Sequence, residues 1–314
     1  MRIALMIEGQ EGVTWQDWVA LAGACEAGGL DALFRSDHYN GLLGDEGREA
    51  TDAWAVLCAL GAVTERIRLG TLVSPVTFRH PSQLAKVVAT ADHVSGGRVE
   101  LGLGAGWNER EHAAYGFDFP PLPTRLSLLE EQAEIVRRSW TEEVLTFEGE
   151  HYRLDGVRAL PKPVQSLPPL LVGGAAQPRS AAVAARFADE YNTLGAGLEE
   201  LAQRRDRLAA ACDAVGRDPA TLPLSLMTGC VVGTDRDELR RRGAAVLERL
   251  GQDGDPDAFL DAQSERWIVG TVEEVRDRIG RLGELGIDRV MLQHLAHRDL
   301  DMVALIGSEL VGAP

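Results

Sequence analysis

Asp92-His93-Val94-Ser95-Gly96-Gly97-Arg98-Val99-Glu100-Leu101-Gly102-Leu103-Gly104-Ala105-Gly106-Trp107-Asn108 is the stretch that decides the fold of this 314-residue chain. Its first half reads as a helix closed by a glycine stop, after which Val99-Glu100-Leu101 enters a strand. Glycines spaced by two at the strand's exit let a flat ligand approach bare backbone. A dinucleotide-binding βαβ unit opens in a similar way. That reading fails here, because Trp107 stands where the third glycine belongs. The next segment is a long insertion, not a helix running to an acidic residue.

Working outward, strand-like runs fall at 2–7, 31–36, 67–73, 98–103, 169–173, 189–193, 223–231 and 287–292. Helical patterns occupy 14–28, 51–65, 82–94, 124–139, 178–187, 197–214, 236–250, 272–284 and 299–311. Thr51-Asp52, Pro81-Ser82, Thr234-Asp235, and Thr271 with Glu274 supply helix caps. Eight strands, each followed by a helix, make the count of a TIM (β/α)8 barrel. Runs such as Leu170-Leu171-Val172 suit strands buried on both faces. The alternation breaks between about 104 and 168, an insertion after the fourth strand on the face where such barrels keep their chemistry. Within it, Phe147-Glu148-Gly149-Glu150-His151-Tyr152 reads as a hairpin, and 252–267 is a second irregular stretch. No repeat or linker interrupts the pattern, so a single domain over 1–314 is expected.

Apolar residues make up 45% of the chain, enough for a large core, and the net charge is −16. Only Lys86 and Lys162 are lysines. Such acidity excludes non-specific nucleic-acid or anionic-membrane binding, which needs basic surface. The apolar run at Met1–Ile7 is too short for a signal peptide, and no window approaches about 18 apolar residues. A cytoplasmic protein without a membrane partner is expected. Cys25, Cys58, Cys212 and Cys230 lack metal-ligand spacing, so reduced thiols and no metal site are expected.

Leu30–Arg35 reads as a short buried strand that delivers Ser36-Asp37-His38-Tyr39 to its C-terminal edge. The expectation is that Asp37 fixes one ring nitrogen of His38, leaving the other to meet a ligand near neutral pH. After the fifth strand, Gly173-Gly174-Ala175 precedes a helix start with Arg179 close by, a pattern suited to a phosphate or carboxylate. Asn192 and Gln293, after the sixth and eighth strands, are expected at the same mouth.

In this order the pieces resemble the bacterial luciferase-like superfamily over nearly the whole chain, most strongly in the 92–107 run. Ser36-Asp37-His38-Tyr39 and Thr77-Phe78-Arg79-His80-Pro81 are similar to the branch that uses coenzyme F420, an 8-hydroxy-5-deazaflavin. FMN-dependent relatives more often carry a Glu-His pair there. The resemblance implies an F420-dependent oxidoreductase, a homodimer, moving a hydride between the deazaflavin C5 and a small organic substrate. It implies that Asp37 and His38 lie beside the ring as the catalytic pair, flanked by Leu72, Val73 and Ser74, with a cis peptide at Leu72–Val73. Gly104, Ala105, Gly106 and Asn108 would meet the pyrimidine edge, and Gly173, Gly174 and Ala175 the tail phosphate. Sugar-phosphate dehydrogenases of that branch place an acid just after the Gly-x-Gly run and use lysine clamps. With Trp107 there and two lysines in all, a bulkier apolar or aromatic substrate is expected, lined by Trp107 and Asn192. Glu8, Glu11 and Glu109 are the candidates for the missing acid. The competing readings are an FMN-dependent monooxygenase consuming dioxygen and a non-catalytic flavin-binding protein.

Overall fold

The computed structural model describes residues 1–45 and 47–312; residue 46 and the last two residues of the expected 1–314 domain lie outside the described residues. The chain begins with β1 (Arg2–Ile7), α1 (Trp15–Ala27), β2 (Ala32–Arg35), α2 (Ala53–Val63), β3 (Arg68–Thr71), the two-residue β4 (Ser74–Pro75) and α3 (Pro81–Ser95). Gly96, at φ +66°, ends α3 in the left-handed conformation that glycine adopts without cost. Then come β5 (Val99–Gly104), α4 (Glu109–Tyr115), α5 (Leu122–Thr141) and an antiparallel hairpin of β6 (Leu145–Glu148) and β7 (Arg153–Val157). The chain continues through β8 (Leu170–Gly173), α6 (Pro178–Phe187), β9 (Glu190–Leu194), α7 (Leu198–Ala214), β10 (Leu224–Gly233) and α8 (Arg236–Arg249). It ends with α9 (Pro256–Gln263), β11 (Ile268–Thr271), α10 (Val272–Glu284), β12 (Ile287–Gln293) and α11 (Leu300–Leu310).

Eight parallel strands close on themselves in the order β1-β2-β3-β5-β8-β9-β10-β12, with β12 pairing back onto β1 through Ala4 and Met291. This is the expected TIM barrel. The expected insertion after its fourth strand, β5, holds α4, α5 and the hairpin. The stretch at 252–267, read from sequence as irregular, contains α9. Asp255 caps that helix and Pro256 opens it, but Leu260 is its only buried side chain, so no apolar period announces it.

Two layers fill the barrel. Ala4, Met6, Ala32, Phe34, Leu72, Leu171 and Met291 form an apolar plug. Below it, at the strands' N-terminal ends, the fully buried Arg289 donates to Glu100 (2.8 Å), Glu190 (2.8 Å) and Asp31 (3.2 Å). Burial works against ionised Glu100, but Arg289 and Arg68 outweigh it and hold its carboxyl down at about 2. Glu190 lies above its ordinary value, because burial and the Glu100 charge prevail over Arg289.

Candidate functional site

β2 stops at Arg35, and residues 36–39 leave the barrel as irregular chain. Side chains that alternate along extended backbone face opposite ways, and here the neighbours Asp37 and His38 go to different partners. Asp37, buried, accepts from Ser74 Oγ (2.8 Å) and from both terminal nitrogens of Arg79 (2.5 and 3.2 Å). Trp54 Nε1 donates to the same Ser74 (3.0 Å), and Arg79 also reaches Asp52 (2.7 Å) and the Tyr39 hydroxyl (3.1 Å). The expectation that Asp37 orients His38 is therefore corrected: its oxygens are committed to Ser74 and Arg79.

His38 Nδ1 instead lies 2.7 Å from Glu111 Oε2. An ionised carboxylate only accepts, which assigns the proton to Nδ1 and leaves Nε2 as the basic nitrogen. The other oxygen, Glu111 Oε1, accepts the backbone N–H groups of Tyr39 (2.5 Å) and Asn40 (3.2 Å). Glu111 reaches this place because Asn108 caps α4, its Oδ1 taking the Glu111 N–H at 3.3 Å. Tyr115, on the last turn of α4, donates its hydroxyl to Tyr39 O (3.1 Å). Burial lowers the His38 pKa, yet the hydrogen bond and charge of Glu111, with Glu8 and Asp37 behind them, leave it above the ordinary imidazole value. Burial likewise disfavours ionised Glu111, but His38 and the two backbone donors hold its carboxyl below the usual range.

Glu111 was invisible to sequence reasoning. It sits 73 positions beyond His38 on a helix of seven residues, too short for a period to show. Its one signal is the Asn108 cap three residues earlier. Of the acids named from sequence, Glu8 stands at the mouth, accepting from Gln10 (2.8 Å) and Gln293 (2.5 Å). Glu11 is held by Arg48 and by the amides of Leu42 and Leu43. Glu109 is exposed on the first turn of α4.

Leu72–Val73 is a cis peptide, where the resemblance implied one. A Cβ built on Gly104 or Gly173 would come within 2.5 or 3.0 Å of Val73's methyl groups, and one on Gly102 would strike Thr71 O and lie 2.9 Å from Val73. The spaced glycines thus make room for Val73 as a wedge between the ends of β5 and β8. Gly106 needs its residue type for another reason, a φ of +77°; Ala105 before it is half-buried. Trp107 is 67% exposed and meets the His38 ring edge-on, with centroids 5.6 Å apart. Asn192 is buried against Ser225 Oγ (2.9 Å) and Met291 Sδ (3.4 Å), inside the barrel.

At the β8 exit, Gly174 donates its N–H to Asn192 O (3.0 Å). Past Ala175, Ala176 takes a left-handed φ of +50°, fixed by Tyr191 Oη on its N–H (2.8 Å) and by Arg207 on its carbonyl (3.0 Å). α6 then starts at Pro178 with no side-chain cap from Gln177. Arg179 turns away to Pro123 O and Ser127 Oγ.

A sequence profile of the luciferase-like monooxygenase family matches residues 2–289. An uncharacterized Mycobacterium tuberculosis protein is 40% identical over 163 residues, which are 52% of this chain and 54% of that relative, so the match spans about half of its length. The F420-dependent glucose-6-phosphate dehydrogenase of Nakamurella multipartita is 30% identical over 311 residues, covering 93% of this chain and 90% of the relative. Among solved structures, an F420-dependent secondary alcohol dehydrogenase in complex with an F420-acetone adduct has a TM-score of 0.81 at 21% identity. That likeness, over 98% of this chain and 97% of the other, is one of fold.

Proposed function

Because the chain belongs to the luciferase-like monooxygenase family, in its F420-dependent oxidoreductase branch, we propose that it moves a hydride between the C5 of a bound deazaflavin and a small apolar or aromatic substrate. The observation that carries this reading is an imidazole at the barrel mouth whose Nδ1 is taken by Glu111 and whose Nε2 has no hydrogen-bond partner among the described residues. The residues fit the cofactor. Val73, half-buried in the room that Gly104 and Gly173 leave at the ends of two adjacent strands, offers an apolar wall to a planar ring. The uncapped start of α6 offers N–H groups to an anionic tail. When bound, the deazaflavin supplies a carbon centre that favours two-electron chemistry.

His38 Nε2 takes the proton of a substrate hydroxyl as its carbon loses hydride, or returns it in the reverse direction. Asp37, pinned by Arg79 and Ser74, would act in the pair by fixing the exit segment from which His38 projects. Leu72, Val73 and Ser74 would form the wall behind the heterocycle, Gly104 to Gly106 with Asn108 its edge, and Gly173 to Ala175 the tail site. Lys86 donates to Leu160 O and Lys162 to the carbonyls of Ser139 and Glu142, so both ammonium groups are committed to backbone. That supports a substrate without a phosphate, packed on the exposed indole of Trp107, with Asn192 deeper in the barrel. A cytoplasmic, single-domain homodimer goes with this reading; among the described residues no helix is long and apolar enough to cross a membrane.

The test is a fluorescence-quenching titration of the purified protein with F420 and with FMN, followed by turnover on a panel of alcohols and ketones. Saturable F420 quenching and F420-dependent turnover are expected. Preferential FMN binding with dioxygen consumption, or binding without turnover on any substrate, overturns the reading.

A further inference from the structure

We propose that Glu111 is the positioning residue of this site: it sets the tautomer and the ring plane of His38, and it holds the 38–40 segment to α4. The inference rests on the role assigned to His38 above and adds the group through which that role is exercised. One carboxylate makes both attachments, Oε2 to the ring at 2.7 Å and Oε1 to two successive backbone amides, and it is itself buried. A carboxylate so held cannot turn from the ring without abandoning the Tyr39 and Asn40 N–H groups, which fixes the imidazole plane as well as its proton. As Nε2 gains a proton, the new imidazolium finds its counter-charge already in contact, so little reorganisation accompanies the transfer.

The surroundings single out Glu111 from the other charges. His38 feels Glu8 from the β1 exit and Asp37 from its own segment, but neither hydrogen-bonds to the ring. Asp37 is matched by Arg79, and Glu8 is bridged to Gln10 and Gln293. The Trp107 ring carries no charge and covers one edge of the imidazole. Among the described residues, Glu111 is the acid in contact.

Two variants separate charge from connection. Glu111→Gln keeps an acceptor near Nδ1 but no charge; Glu111→Ala removes both. The midpoint of His38 is read by NMR titration of the unliganded protein, its signal assigned by its loss in His38→Ala. In both variants the midpoint is expected to shift to lower pH, since the raising influence of Glu111 is gone. With F420 bound, Glu111→Gln should lower kcat about 10–100-fold, with KM and the F420 Kd within about threefold, as expected when an interaction made mainly in the transition state is lost. The limb of the pH-rate profile that reports His38 should track the NMR midpoint. Because Glu111→Ala can also loosen the 38–40 segment, Glu111→Gln is the deciding variant. An unchanged His38 midpoint in Glu111→Gln, or a midpoint that moves while kcat stays at the wild-type value, overturns the proposal. If wild-type protein fails to bind F420, the functional reading falls, while the midpoint comparison still decides whether Glu111 governs His38.

Discussion

The two ends of this barrel handle buried charge in opposite ways. At the N-terminal end, Arg289 of β12 meets Glu100 of β5 and Glu190 of β9 across the barrel interior, and each of these groups sits on regular sheet. At the C-terminal end the charged groups sit on departures from the sheet: Asp37 and His38 on the β2 exit, Arg79 on the loop after β4, Glu111 on α4. The first arrangement is closed, its partners lying in the strands or, for Asp31, on the residue that enters one. The second leaves one imidazole nitrogen without a partner among the described residues and stands beside an exposed indole. Partnered charge on strands stays inert; a lone pair held at the strand exits gives chemistry.

Variants at either end can break this contrast. The largest effect is expected from His38→Ala, which should lower turnover roughly 10²–10⁴-fold while leaving F420 affinity within about tenfold and the melting temperature unchanged. Steady-state kinetics beside a calorimetric scan measure both, and a large loss of stability would mean that the mouth is structural after all. Arg289→Met should do the converse. Stranding two buried carboxylates costs about 3–5 kcal/mol, visible as an earlier urea midpoint, with cofactor affinity preserved in the folded fraction.

Acid sharpens the same point. The folded-state pKa of Glu100, about 2, lies below its unfolded value of about 4.3, so its contribution is present above that value and is lost as pH falls toward 2. Glu190, held above its ordinary value, has the opposite sign: its folded state takes up protons first and so opposes the loss. Urea unfolding across this range should show stability declining less steeply below about pH 4 in Glu100→Gln than in the native chain.

A smaller change tests the wedge. Gly104→Ala would set a Cβ 2.5 Å from Val73 Cγ2, and a cost of about 1–3 kcal/mol with weakened F420 binding is expected. Smallest of all in stability is Trp107→Ala, within about 0.5 kcal/mol because the indole is mostly exposed. Its effect should appear as a raised KM for apolar substrates. An unchanged KM would detach the substrate from this side of the mouth.

Legibility in the sequence divides along the same line. Strand positions were readable because a barrel strand buried on both faces must be apolar nearly throughout, as at Leu170-Leu171-Val172. The residues of the mouth were readable as types, since glycine spacing and an Asp-His pair are local features. Their pairing was not. Asp37 and His38 look like partners because they are adjacent, yet adjacency along an exit segment sends them apart, to Arg79 and to Glu111. α9 and α4 escaped for a related reason: each is short and rests on one or two buried side chains, so neither writes a period.

The double grip of Glu111 bears on how such proteins can be re-engineered. Residues 105–169 look like a portable cassette, bounded by β5 and β8 and free to be exchanged between barrels for a new specificity. They are not autonomous, because the cassette carries the counter-ion of a histidine that belongs to the host. A graft that omits an acid at the third residue of its first helix would deliver a new pocket above a disarmed imidazole.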